Sequence, residues 1–167
     1  MIVQKELVLD DAQVRQKIRR MSYEIFENNF DERTIVLAGI EGQGYALAEL
    51  LEKEILSIST LQVIIVKVQL DKEAPQESKV SLNVKPEDIR KKTIVLIDDV
   101  LNTGRTLAYG MKPFLSTEVK KIEVAVLVNR SHPLFPVQPN YTGYELSTTL
   151  KDHVQVVLGK KSAVYLH

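Results

Sequence analysis

Lys92-Thr93-Ile94-Val95-Leu96-Ile97-Asp98-Asp99-Val100-Leu101-Asn102-Thr103-Gly104-Arg105-Thr106-Leu107 opens with a short apolar run, Ile94 to Ile97, bounded by charge on both sides. An unbroken β-branched run of this kind reads as a strand buried on both faces of a parallel sheet. Two adjacent carboxylates follow where the run ends, and Asn102 to Thr106 has turn chemistry that can open a helix. Ligands of open parallel sheets collect at the carboxyl ends of strands, so chemistry is expected here. Thr103 and Thr106 offer hydroxyls, and Gly104 admits close approach of backbone N–H groups. A following helix adds its positive end, so the turn suits a phosphate. Asp98 and Asp99 would repel a bare phosphate but suit sugar hydroxyls or a hard divalent cation. Together they ask for a phosphorylated sugar with free hydroxyls.

Taken alone, an Asp-Asp pair reads as an acidic strand end before an ordinary capped helix. The full string argues otherwise. From Ile94 to Thr106 it closely resembles the phosphoribosyl pyrophosphate signature of the type I phosphoribosyltransferases. The resemblance implies an α/β fold, with a central mostly parallel sheet flanked by helices, a small hood and a C-terminal hairpin. It implies that Asp98 and Asp99 are the catalytic pair, holding the ribose hydroxyls and a Mg2+ ion carried by the substrate. Val100, Leu101, Asn102, Thr103, Gly104, Arg105 and Thr106 would then surround the ribose and its 5′-phosphate.

Upstream, Thr34 to Ile40 reads as the first central strand, running into Glu41-Gly42-Gln43-Gly44 and then a helix with Leu47, Leu50, Leu51 and Ile55 on one face. A Gly-rich turn between strand and helix is usually structural. In the context of the first motif it resembles the family's pyrophosphate-binding loop. Glu41 and Gln43 stand where basic residues are often found, which weakens the expected hold on pyrophosphate. Residues 3–9 read as a strand or arm. Asp10, with Gln13 three residues on, starts a helix whose buried stripe is Val14, Ile18, Met21 and Ile25. Arg15, Lys17, Arg19 and Arg20 lie largely off that stripe and read as a solvated face. Leu61 to Leu70 is a further strand, and Asp71 to Pro86 is a surface loop or irregular hairpin. Its position matches the family's mobile active-site loop. Lys72 and Lys79 lie in it within reach of pyrophosphate, although water is the ordinary surrounding of a loop lysine.

Downstream, Leu107, Ala108, Met111 and Leu115 mark a helix face that Pro113 bends or ends. Ile122 to Val128 is the next strand. Asn129 to Gly143 reads as an irregular cap with three prolines and an exposed aromatic pair, Phe135 and Tyr141. Val154 to Leu158 and Ala163 to Leu166 form a terminal hairpin. The tract Ala125 to His132, with Pro136, Tyr141 and Gly143, resembles the pyrimidine-operon regulators that are also uracil phosphoribosyltransferases. That resemblance implies one domain over residues 1–167 with a hood mainly from 130–150. Arg130, Phe135 and Val137 would lie near the base, and a homodimer or larger assembly is expected. Asn102 stands where 6-oxopurine relatives resemble one another in carrying an aspartate, and a carboxamide cannot act as a carboxylate base.

The composition is ordinary for a soluble globular protein. The chain has 167 residues, enough to bury roughly 68–70% of its unfolded surface in one domain. Lys plus Arg and Asp plus Glu balance at 22 each, so no bulk basic footprint for nucleic acid is present. No cysteine occurs, which fits a reducing cytoplasm. Met1 to Glu6 does not read as a signal peptide, and no apolar run approaches the ~20 residues of a membrane span. Three functions remain in view. The first is transfer of ribose 5-phosphate to a nucleobase, uracil by the resemblance. The second is a nucleotide-sensing, RNA-binding pyrimidine regulator with little catalysis. The third, a 6-oxopurine transferase, is disfavoured by Asn102. A phospho-accepting receiver domain fits poorly, because Thr34–Ile40 ends in a glycine turn where such a domain needs carboxylates.

Overall fold

The computed structural model describes residues 4–167, so the first residue of the arm expected over 3–9 lies outside it, as do Met1 and Ile2. In chain order the elements are β1 (Glu6–Leu9), α1 (Asp11–Asn28), β2 (Thr34–Ile40), α2 (Gln43–Ile58), β3 (Gln62–Gln69), β4 (Ser81–Leu82) and α3 (Pro86–Ile89). They continue with β5 (Thr93–Leu101), α4 (Arg105–Gly110), α5 (Lys112–Leu115), β6 (Lys121–Asn129), β7 (Tyr141–Glu145), β8 (Val154–Val157) and β9 (Ala163–Leu166).

The apolar runs become a six-stranded sheet of order β4-β3-β2-β5-β6-β7, parallel except for β4 against β3. Both faces of its centre are covered, which is why β2 and β5 are apolar without alternation. Successive residues of β2 still part to opposite sides. Ile35 and Leu37 pack with α1 and α2, whereas Val36, Ala38 and Ile40 pack with Ile89, Leu107 and Phe114. Helix α1 starts as its capping box demands. Gln13 N donates to Asp10 Oδ1 at 2.8 Å, and Asp10 N donates to Gln13 Oε1 at 2.9 Å. Its buried positions are the predicted stripe plus Ser22.

A second, three-stranded antiparallel sheet has the order β1-β9-β8, so the terminal hairpin recruits the N-terminal strand. No helix among the described residues is long and apolar enough to cross a membrane.

Three local expectations need correction. The helix after Thr106 breaks into α4 and α5, and Pro113 sits in the first turn of α5, where its missing N–H breaks no bond. That break rotates Phe114 into the core and leaves Leu115 71% exposed. Residues 141–145 leave the irregular cap to form the edge strand β7, parallel to β6. Tyr141 is buried there because its hydroxyl is satisfied: it donates to Glu123 Oε2 at 2.9 Å and accepts from Asn28 Nδ2 at 3.2 Å.

Candidate active site

The acid pair lies within β5, not beyond it. Pairing with β6 continues through Asp98, Val100 and Leu101, whereas pairing with β2 stops at Ile97. β2 runs on to β3 in one direction, and β5 takes up the other edge of β2, so the order reverses between β2 and β5. That is the topological switch point at which open α/β sheets bind ligands. On the freed side of β5, the turn after β2 presses against the acids. A Cβ on Gly44 would stand 3.0 Å from Asp98 Oδ1 and from the Ile97 carbonyl oxygen. Even a methyl group there would have to push the acid strand back by a few tenths of an ångström.

The following turn is held from two sides. Gly104 has φ +87°, a left-handed conformation that glycine adopts freely. Arg105 N donates to Thr103 Oγ1 at 3.3 Å, and α4 begins there. The Thr103 carbonyl accepts from Leu134 N at 2.8 Å and Phe135 N at 3.0 Å, so the proline-rich cap braces the turn from outside. Asp98 to Leu107 then line one cavity of about 410 Å3, closed by Lys72 and by His153, Val154, Gln155 and Val156.

The predicted base and pyrophosphate groups are dispersed around this cavity. Glu41, Gly42, Gln43 and Gly44 are absent from its lining. Gly44 abuts Asp98, and Gln43 Oε1 accepts from Leu158 N at 2.9 Å, tying the turn to the terminal hairpin. Phe135 and Val137 line a neighbouring hollow of about 560 Å3 that shares only Leu101 and Asn102 with the first. Arg130 lines neither. Its guanidinium donates to Asn102 Oδ1 (2.7 Å), Thr148 Oγ1 (3.0 Å) and the carbonyls of Thr149 (3.2 Å) and Asp152 (2.6 Å). Four such bonds at a buried position make it a bracket between the acid strand and the segment leading to β8. The lining that sequence reasoning missed is His153–Val156. The hairpin was legible as a hairpin, but nothing local in it says what it covers.

Burial raises the Asp98 carboxyl well above the usual carboxylate range, and repulsion from Asp99 adds to this; the Lys72 ammonium opposes it. Asp98 Oδ1 also accepts from Asp99 N at 2.9 Å. A carboxyl that holds its proton more tightly folded than unfolded stabilises the fold only while protonated. The Asp98 contribution is therefore fully present below the ordinary carboxylate range and is lost as pH rises through the raised native value. Asp98→Asn should accordingly raise the melting temperature of the free protein at neutral pH, with the gap closing toward about pH 4. Melting curves across that range would refute this if the variant were the less stable protein at neutral pH.

A family model described as the phosphoribosyl transferase domain matches residues 6–158. A Fusobacterium nucleatum protein described as bifunctional protein PyrR is 30% identical over 99% of this chain and 100% of its own length. A Listeria monocytogenes protein of the same description is 33% identical over 93% of this chain and 91% of its own. Among solved structures, a hypoxanthine-guanine phosphoribosyltransferase from Bacillus anthracis superposes with a TM-score of 0.74 at 17% identity, covering 87% of this chain and 85% of the other. The hypoxanthine phosphoribosyltransferase of Trypanosoma cruzi gives 0.73 at 12% identity, covering 84% and 81%. At those identities the two structures speak for the fold alone. With one domain model reaching from β1 through the acid strand and its turn to the end of β8, the chain belongs to the phosphoribosyltransferase family.

Proposed function

We propose that this phosphoribosyltransferase moves ribose 5-phosphate from phosphoribosyl pyrophosphate to uracil and releases pyrophosphate. The observation that carries the reading is a single cavity with three kinds of wall: the acid pair, the Thr103–Thr106 turn, and the mixed polar and apolar His153–Val156 segment. The turn suits the 5′-phosphate, and its backbone is already braced, so little ordering is left to do on binding. Asp98 and Asp99 accept the ribose hydroxyls. The base stacks toward Val100 and the His153–Val156 wall, in place of the Phe135–Val137 segment that the sequence alone suggested.

Two carboxylates fit a Mg2+ ion shared with the substrate. Their oxygens are hard donors, and the buried, charge-starved Asp98 already draws a cation, the Lys72 ammonium, to 3.6 Å. Among the described residues no cluster of three or more ligating side chains exists, so the substrate's own oxygens would complete the shell. When bound, the metal supplies charge neutralisation on the diphosphate. The chain's own part is electrostatic: as the bond from C1 to pyrophosphate lengthens, positive charge grows on the sugar beside Asp98 and Asp99. The C1–O bond breaks as pyrophosphate leaves toward Gly44, a ring nitrogen of the base bonds to C1 from the side of β8, and the proton of that nitrogen passes to the departing pyrophosphate or to water.

Asn102 supports a pyrimidine. It cannot serve as a carboxylate base, and its Oδ1 is occupied by Arg130. Incubation with Mg2+, phosphoribosyl pyrophosphate and each nucleobase in turn should yield mononucleotide from uracil. Product from hypoxanthine or guanine alone would overturn the base assignment, and no product from any base would overturn the reading. The word bifunctional in the relatives' description supports a second role as an RNA-binding pyrimidine regulator, with the exposed Arg15, Arg19 and Arg20 of α1 as one available surface. RNA gel shifts at rising salt test it, since phosphate contacts give a steep loss of affinity. Assembly as a homodimer or larger, to be checked by sedimentation, and a cytoplasmic site of action belong to the same proposal.

A further inference from the structure

We propose that Gln43 is a positioning residue for the base, holding β8 at a fixed distance from the acid strand so that the wall is in place before the base arrives. The inference rests on the transfer reaction above. It gives Gln43 a task at the base end of the site, in place of the pyrophosphate end.

Among the described residues, β8 is an outer strand of the sheet β1-β9-β8, so one of its edges has no strand beside it. Which backbone groups lie on that edge follows from the register. His153 and His167 exchange both backbone hydrogen bonds, at 2.7 and 2.9 Å, and Gln155 and Val157 stand opposite Tyr165 and Ala163. Hydrogen-bonded pairs alternate along an antiparallel ladder. Gln155 and Val157 therefore turn their N–H and C=O groups to β9, while Val154, Val156 and Leu158 turn theirs away. The Leu158 N–H, just past the strand, donates to Gln43 Oε1 at 2.9 Å. One carboxamide thus takes a place in the ladder that a neighbouring strand would fill. At the other end Arg130 grips the carbonyls of Thr149 and Asp152 ahead of β8. Between the two grips lie His153 to Val156, the stretch that walls the cavity.

The Gln43 grip is anchored on the element nearest the chemistry. Gln43 is the first residue of α2, and its neighbour Gly44 abuts Asp98 and the Ile97 carbonyl. Acid strand, turn and hairpin are tied in series through two adjacent residues. Other bonds that hold the hairpin run elsewhere: Lys5 Nζ donates to Gln155 Oε1 at 2.8 Å, and Ser162 N donates to Asp11 Oδ1 at 2.7 Å. Those fix the hairpin to the N-terminal arm and to α1, not to the acids. Gln43 is half-buried and does not line the cavity, so it acts on the base only through β8. A wall fixed beforehand spares the cost of ordering it when the base binds.

Gln43→Leu removes the acceptor and keeps the bulk, whereas Gln43→Glu keeps an oxygen for the Leu158 N–H. In the Leu variant the KM for uracil should rise about fivefold, the factor of one intramolecular hydrogen bond. The inhibition constant of pyrophosphate should stay at its wild-type value. The Glu variant should restore the KM for uracil. Amide hydrogen exchange reads the same grip without turnover: Gln155, Val157 and Leu158 should exchange faster in the Leu variant, and β2 should not. Unchanged exchange in that variant, or a rise in the pyrophosphate constant alone, would overturn the proposal. Faster exchange with an unaltered KM for uracil in an active enzyme would overturn it too. In a protein that makes no nucleotide, weaker calorimetric binding of uridine 5′-monophosphate by the Leu variant would discard the transfer reaction and keep the role of Gln43. Equal binding by the two proteins would discard both.

Discussion

Asp99→Asn should lower kcat by about 100- to 1000-fold, the cost of removing one preorganised electrostatic contact to a charge that develops in the transition state. Asp99 is the half-exposed member of the pair, facing the cavity from the freed side of β5, whereas Asp98 is buried. The substitution removes a charge and keeps the shape. The pairing of β5 with β6 does not depend on that side chain, so the fold should be intact by circular dichroism. If the acid acts on the emerging sugar cation, kcat and kcat/KM fall together while the KM for the base changes little. A variant with wild-type turnover would remove Asp99 from the catalytic role.

Gly39→Ala carries the largest expected effect on stability. Gly39 sits in β2 between Lys67 and Ile97, and the first turn of α2 folds back directly over it. A Cβ there would lie 2.6 Å from Tyr45 Cα, 2.8 Å from the Gly44 carbonyl oxygen and 2.9 Å from Tyr45 N. All three are backbone atoms, so no rotamer change relieves the clash. The start of α2 must lift off the sheet, and Gly44 must withdraw from Asp98 with it. Overpacking of this kind costs about 3 kcal/mol or more. In a chain of this size that is about 6–12 °C of melting temperature. Gly159→Ala is the control, because nothing lies within 4 Å of its added methyl. Similar melting temperatures for the two variants would show that the close approach at Gly39 is not rigid.

The residues behind these two expectations differ in how they could be read beforehand. β2 matches the predicted strand at both ends, and α1 starts at its predicted cap, because both are decided by neighbours in sequence. The acids were expected past the strand end, since charge in a central strand is costly. What keeps them in β5 is β6 on one side and the departure of β2 on the other, and neither is visible locally. Arg130 was expected near the base from the family resemblance, and nothing local in the sequence shows what it holds. Its partners, Thr148, Thr149, Asp152 and Asn102, lie 18, 19, 22 and 28 residues away. Leu115 fitted the helical period and failed because Pro113 restarts the helix. The acid strand and its turn were legible, whereas the walls brought to them by long-range folding were not.

The sheet built from β1, β9 and β8 ties Glu6 to Leu166 and carries the wall over the acids on its far strand. During synthesis β1 emerges long before β9, the strand it pairs with. A ribosome-bound nascent chain can therefore fold its parallel sheet and display the Thr103–Thr106 turn while the wall carried by β8 is still missing. Until β9 has joined it, β1 is an unpaired edge in need of protection from other chains.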